Sequence, residues 1–282
     1  MIKIIQVAGS PISDGLDPAK FEVVFVKDTA GFGELRRLFA ERRPDVVHAF
    51  SSKAAVFAAK AAGVKKIIYT PRASDRIFET AATLLDATIA SVRYAYHGGF
   101  PEAKAHEGLL VGSSGPMTPA HNPDAWVLLA QRLCDSRNGL SCLWIGGGED
   151  EAAARVNLTN MNLLSKVEVT GAIPNDTARE RLRGLDLFVH YTLAGASTAP
   201  ILDAMALGLA VVAADIPAHR DLVEDGVTGY LVKNEVELLE RCQSLLDDDD
   251  LRQRLGAGGR GKVLREFSRE RQLAELSRLY SA

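Results

Sequence analysis

The chain has 282 residues, 47% hydrophobic and 24% charged, with a mean hydropathy of +0.01, the profile of an ordinary globular chain large enough for one big domain or two modest ones. A net charge of −3 speaks against a nucleic-acid partner, and three cysteines (Cys134, Cys142, Cys242) without CxxC or Cys/His spacing speak against a zinc site or disulfide framework. They read as buried, reduced thiols of a cytoplasmic protein. No run reaches the ~18 apolar residues of a membrane span, and the sequons at Asn157 and Asn175 carry little weight without a secretion signal.

Taken in chain order, short β-branched runs alternate with stretches of helical period. The start, MIKIIQVAGSP, holds an apolar run too short for a signal peptide and reads as a first buried strand, Ile2–Val7. Further strands are expected at Glu22–Val26, Val46–Ala49, Lys66–Thr70 and Ala87–Ser91, with helices at Phe32–Arg42, Ser52–Ala62 and Arg76–Leu84. The loop Tyr96–Glu107, rich in Gly, His and charge, marks a domain boundary, so residues 1–105 form a short N-terminal unit.

A second series spans 106–265. Its strands are expected at Leu109–Val111, Ser141–Ile145, Val167–Thr170, Asp186–His190 and Ala210–Ala213. Its helices are expected at Asp124–Cys134, Asp150–Asn160, Thr177–Gly184 and Pro200–Leu207. The tetrad Asp247–Asp250 suits the acidic start of a late helix better than a metal site. A charged amphipathic helix, Glu266–Tyr280, closes the chain (266–282) and is a candidate to pack back on the N-terminal domain. Alternation with strands apolar on both faces predicts an α/β chain of two Rossmann-like, parallel-sheet domains facing a cleft.

The stretch GASTAPILDAMALGLAV at 195–211 is small and apolar except for Asp203. It follows a strand, so its loop falls at the carboxyl end of a parallel sheet, where such folds bind ligands. Small residues there leave the amides of Ser197, Thr198 and Ala199 free to meet an anion at the helix N-terminus. On the first turn of that helix, Asp203 either stabilises the helix dipole or accepts hydrogen bonds from vicinal hydroxyls; spacing alone leaves both readings open. The glycines of Gly146–Gly148 precede a helix but lack a dinucleotide signature, which argues against NAD.

DLFVH (186–190), PILDAMALG (200–208), AVVAAD (210–215), PAHRD (217–221) and VEDGVTGYLV (223–232) together resemble the C-terminal domain of the family 4 retaining glycosyltransferases, which have the GT-B fold. RPDVVHA (43–49), LWIGGGE (143–149), VEVTGAI (167–173) and the final EFS…LY (266–280) extend the likeness more weakly.

The resemblance implies a sugar transferase that uses a nucleotide-sugar donor and a glycan or glycolipid acceptor, as in polysaccharide biosynthesis. It implies neither metal nor other cofactor. Asp203 stands at the second acid of the family's E-x7-E signature and would bind the ribose, while Ser197, Thr198 and Ala199 would hold diphosphate or sugar. Gly9 lies in the loop that approaches the phosphate and acceptor.

Departures are equally plain. Gly195 replaces the first glutamate, which engages hydroxyls of the donated sugar. The loop 112–123 lacks the family's Arg and Lys, leaving Ser113 as a neutral donor and His121 as the one nearby group able to carry charge. Arg72 lies near the family's N-domain histidine and, with Arg76, is a candidate to reach the diphosphate; His48, ending a strand, is a further catalytic candidate or an ordinary strand-end residue. His190 and His219 read as structural. The short N-terminal half leaves the acceptor side open, or completed by a second copy, a partner subunit or the inner face of a membrane. A degenerate, non-catalytic binding subunit is the alternative, and a sugar-nucleotide epimerase on the same fold is disfavoured by the PILDAMA block.

Overall fold

The computed structural model describes residues 1–8, 14–70, 108–193 and 197–282, and the backbone of 88–89. Two compact units emerge: Met1–Ala95 with Arg269–Ala282, and Tyr96–Ser268. The boundary expected after residue 105, the helix Arg76–Leu84 and the loop Tyr96–Glu107 lie outside the described residues.

In the first unit, β1 (Ile2–Ala8), β2 (Phe21–Lys27), β3 (Val46–Phe50), β4 (Lys66–Thr70) and β5 (Thr88–Ile89) form one parallel sheet, ordered β2-β1-β3-β4-β5. Successive side chains of a strand point to opposite faces, and here both faces are covered. Ile5, Val7, Val47 and Ala49 pack with Leu35 and Phe39 of α1 (Phe32–Arg42) and with Ala55, Val56, Ala58 and Ala59 of α2 (Lys53–Ala61). On the other face Ile4, Val46 and Ile68 meet Leu276 and Tyr280 from the last helix of the chain (Arg269–Ser281), so that helix belongs to the first unit's core.

Among its described residues the second unit has six parallel strands. These are β6 (Leu109–Ser114), β7 (Leu140–Ile145), β8 (Val167–Val169), β9 (Leu187–His190), β10 (Ala210–Ala214) and β11 (Tyr230–Val232), ordered β11-β10-β9-β6-β7-β8. The intervening helices are α3 (Pro123–Ser136), α4 (Glu151–Asn160), α5 (Asn175–Leu182), α6 (Ala199–Ala206) and the short α7 (Pro217–Arg220). Two further helices follow, α8 (Glu235–Asp247) and α9 (Asp249–Glu266), and the terminal helix is α10.

Several boundaries differ from expectation. β11 and α8 are additional elements; Tyr230–Val232 is too short to register as a strand by pattern alone. The acidic tetrad straddles two helices, and the Asp248 carboxylate caps α9 by accepting the Leu251 amide at 2.9 Å. The expected single helix Glu266–Tyr280 is broken at Phe267–Ser268, where Phe267 leaves helical geometry and buries its ring in the second unit's core. All three cysteines are free and buried. Among the described residues no helix is long and apolar enough to cross a membrane, and no cluster of His, Cys, Asp and Glu is built to hold a metal.

Candidate functional site

From β6 the second sheet grows one way through β7 and β8; the chain then returns to β9 on the other side of β6 and grows the opposite way. That reversal makes the carboxyl end of the β6–β9 pair a topological switch point, the place where open parallel sheets leave a crevice for a ligand. Ser113 and Ser114 end β6, the turn Pro119–His121 follows it, His190 ends β9, and α6 begins beyond Thr198. The residues singled out by pattern in this unit thus converge on one edge of one sheet. Gly9, Arg72, Arg76 and Gly195 lie outside the described residues.

The α6 mouth can be accounted for group by group. Thr198 is the N-cap residue, but its hydroxyl makes no cap bond. Ala199 donates its amide to Ser197 Oγ at 3.3 Å, so of the three amides expected to be free this one is already engaged. Pro200 has no N–H, and the Ile201 amide bonds to the Thr198 carbonyl at 3.1 Å. The amides of Ser197 and Thr198 have no acceptor among the described residues. Two main-chain donors therefore remain available where the helix dipole favours negative charge.

Asp203 is the fifth residue of α6 and not on its first turn, which corrects the expectation from sequence. Its side chain keeps 23% of its exposure. Burial raises its pKa and the Arg179 guanidinium opposes that rise. The dipole's effect on a side chain falls off beyond the first turn, so the helix-stabilising reading is the weaker of the two. Arg179 Nε lies 3.9 Å from Asp203 Oδ1, beyond hydrogen-bond reach, and the carboxylate accepts no hydrogen bond among the described residues.

A row of histidines floors the switch point. His190 is fully buried, and its Nε2–H donates to the Ser197 carbonyl at 3.1 Å, anchoring the segment before α6. Because a carbonyl can only accept, Nε2 carries the proton, and Nδ1 holds a buried lone pair without a partner among the described residues. Burial, then the neighbouring His219, lower its pKa to about 3, so the ring is neutral. His219 donates from Nδ1 to the Ala214 carbonyl at 2.8 Å. Its ring centroid lies 5.3 Å from that of His190.

His121 stands 6.4 Å from His190 on the other side, ring centre to ring centre. Its Nδ1 is 2.9 Å from Thr118 Oγ1, and its buried Nε2 has no partner among the described residues. Burial lowers its pKa too. Burial thus works against a positive charge on His121, the one nearby group that the sequence marks as able to carry it.

Arg220, just after β10, is a cation already committed: Asp215 holds it through two hydrogen bonds of 2.6 and 3.1 Å. Ser113 is only 3% exposed. The glycines Gly146–Gly148 have a packing role: a Cβ at Gly146 would stand 2.2 Å from the Gly115 carbonyl oxygen, and one at Gly148 2.3 Å from that of Met117. The loops after β6 and β7 touch backbone to backbone, which only glycine permits.

In the first unit, His48 is fully buried, with Nδ1 2.9 Å from Tyr280 Oη and Nε2 2.8 Å from Thr70 Oγ1. Gln6 Nε2 donates to the same phenol at 2.7 Å. Both ring nitrogens are engaged and burial lowers the pKa to about 3, so His48 fastens α10 to the sheet and has no open nitrogen for a substrate. Arg179 is the site residue that sequence reasoning misses, because nothing in its spacing ties it to Asp203.

A chain of two parallel α/β units, one with a helix mouth at its sheet's switch point, has the GT-B glycosyltransferase fold. Residues 100–262, more than half the chain, match the model for glycosyl transferases group 1, and the chain belongs to that family. It is 27% identical over 141 residues to a phosphatidyl-myo-inositol mannosyltransferase of Mycobacterium leprae, covering 49% of this chain and 37% of that protein. It is 34% identical over 104 residues to the alpha-maltose-1-phosphate synthase of Mycolicibacterium smegmatis, covering 34% of this chain and 27% of the relative. These matches span well under half the length of either relative.

Among solved structures, HepE of Anabaena in complex with UDP superposes with a TM-score of 0.74 at 14% identity, over 99% of this chain and 100% of that one. TarM of S. aureus, in complex with Fondaparinux, alpha-GlcNAc-glycerol and UDP, gives 0.71 at 18% identity, over 92% of this chain and 55% of that one.

Proposed function

We propose that this chain is a glycosyltransferase that moves a sugar from a nucleotide-sugar to a glycan, lipid or other hydroxyl acceptor, with retention of anomeric configuration as in family 4. The observation that carries the reading is the α6 mouth. There two amides, of Ser197 and Thr198, have no acceptor among the described residues, and on the helix that follows them stands Asp203, which no described residue hydrogen-bonds. The amides suit the diphosphate, and Asp203 suits the two hydroxyls of a ribose, reached with one methylene less than the family's glutamate. The UDP named with HepE and with TarM makes UDP the first nucleotide to try.

The remaining assignments follow the same reading. Ser113 and His121 are candidates for neutral donors on the diphosphate side, Gly9 and Gly195 remain candidates for the phosphate and sugar positions, and Arg72 for the missing positive charge. A neutral hydrogen bond is worth about 1 kcal/mol against about 1.5–3 for a charged one, so the departing diphosphate is held less firmly than by an Arg–Lys pair. Front-face displacement needs little more than that stabilisation and fixed geometry, because the leaving phosphate takes the acceptor's proton. Neither metal nor other cofactor enters the scheme.

Binding of UDP, GDP, ADP and their sugar conjugates, followed by thermal shift, tests the reading. A nucleotide that binds the folded state raises Tm by mass action, and Asp203→Ala abolishes the rise. A panel that shifts nothing refutes a donor site. Binding without hydrolysis or transfer from any donor selects the alternative, a binding subunit on a transferase frame, and NMR of the first product reads retention directly.

A further inference from the structure

Arg179 and Asp203 sit on successive helices, α5 and α6, and their relation is unusual. Arg179 Nε is 3.9 Å from Asp203 Oδ1, and its Nη1 is 3.9 Å from Asp176 Oδ1. Neither distance makes a hydrogen bond. Five guanidinium donors and the Asp203 carboxylate oxygens thus stand side by side with no hydrogen bond between them or to another described residue. An arginine that merely locked an acid in place would close to a forked contact near 2.8 Å, as Arg220 does on Asp215.

We propose that Arg179 is a positioning residue for the nucleotide site, a counter-charge 3.9 Å from the Asp203 carboxylate that takes none of its lone pairs and leaves its oxygens for the hydroxyls of the ligand. The inference rests on the reading of Asp203 as the ribose acceptor and adds to it a residue that no motif marks. Removing water from around a carboxylate disfavours its charged form, and a cation a few ångströms away restores it without occupying a lone pair. Burial and Arg179 act on Asp203 in those two opposite senses.

Among the described residues, the other neighbours leave Arg179 alone in this role. From α5, Asp176 flanks the guanidinium and Glu180 pairs with Arg183 at 2.9 Å. α6 carries no second titratable side chain, β9 brings the neutral His190, and β10 is apolar. α9 brings Arg260, which lies near Gly208, beyond the far end of α6, its Cδ 3.8 Å from where a Cβ would stand.

Carbon-13 NMR of the Asp203 carboxyl in the nucleotide-free protein, assigned with Asp203→Asn, tests the coupling without invoking activity. Arg179→Gln raises the titration midpoint and Arg179→Lys returns most of it; an unmoved midpoint in Arg179→Gln overturns the proposal. UDP affinity measured by calorimetry across pH supplies the second reading. A midpoint raised by one pH unit weakens UDP about ten-fold at pH well below it, and the variant recovers wild-type affinity at high pH, where the carboxylate is charged regardless. A loss in Arg179→Gln that persists undiminished at high pH means that the guanidinium itself touches the ligand, and overturns the positioning role. If the NMR midpoint moves as expected but Asp203→Asn leaves UDP binding intact, the ribose assignment fails while the ion-pair coupling stands.

Discussion

His190 Nε2 donates to the carbonyl of Ser197 at 3.1 Å, so the last residue of β9 holds the residue before the α6 N-cap. The burial of that ring, which the bond to Ser197 only partly offsets, has a pH signature. In the unfolded chain a histidine takes up a proton near its ordinary 6.5, whereas folded His190 resists until about 3, chiefly through burial. Between those values the unfolded state binds more protons, so stability rises with pH through the window and is lost as pH falls through it. His48, also at about 3, adds a second such contribution from the other unit. Urea midpoints measured from pH 7 to pH 4 are expected to fall, and His190→Gln to reduce the fall in the second unit. An unchanged slope in that variant means that His190 is not held neutral.

Asp203 works in the opposite sense. Its folded pKa is raised, mainly by burial, so above that value the charged carboxylate lowers stability, and the penalty vanishes below the unfolded value, where both states are protonated. Asp203→Asn is therefore expected to raise the Tm of the nucleotide-free protein at pH 7 to 8, to lose that gain near pH 3, and to abolish the response to UDP. A group that costs stability yet is required for binding is the pattern of a site residue, as opposed to a structural one. Loss of Tm in Asp203→Asn at pH 8 contradicts this.

How much of this is legible in the sequence differs by feature. The parallel alternation is clear because strands buried on both faces, such as Ala210–Ala214, read as unbroken apolar runs. The α6 mouth is clear because small residues and Pro200 precede one lone acid. What escapes a linear reading depends on distances between residues far apart in the chain. Arg179 meets Asp203 across two helices, and Gln6, His48 and Thr70 are joined through Tyr280 from the last helix. Likewise the burial that lowers the pKa of His121 is not foretold by the composition around it.

The glycines after β7 make a sharp stability test. Gly146 has φ of +134°, and an added Cβ would lie 2.2 Å from the Gly115 carbonyl oxygen, so Gly146→Ala must strain its own backbone and also push the loops after β6 and β7 away from each other. A loss of about 2 kcal/mol or more is expected from chemical denaturation. Gly184 is the control: it lacks a positive φ, its Cβ would meet only the Arg181 carbonyl oxygen at 3.6 Å, and Gly184→Ala is expected to be close to neutral. Equal effects of the two substitutions would mean that these loops do not depend on that close approach.

Tyr280 joins the end of the chain to the first sheet, and its hydroxyl does so by hydrogen bonding alone. Gln6 Nε2 donates to it at 2.7 Å, His48 Nδ1 lies 2.9 Å from it, and His48 Nε2 lies 2.8 Å from Thr70 Oγ1. Tyr280→Phe keeps the edge-on ring contact with Phe21, whose centroid is 6.0 Å away, but strips His48 Nδ1 and Gln6 of their shared partner inside the core. Leaving buried polar groups unpaired costs about 1–3 kcal/mol. Hydrogen exchange is expected to show the loss in β1, β3 and α10, with the strands of the second unit unchanged. Tyr280→Phe with wild-type protection in β1 and β3 would mean that Gln6 and His48 find other partners, and that α10 does not depend on the Tyr280 hydroxyl to stay docked.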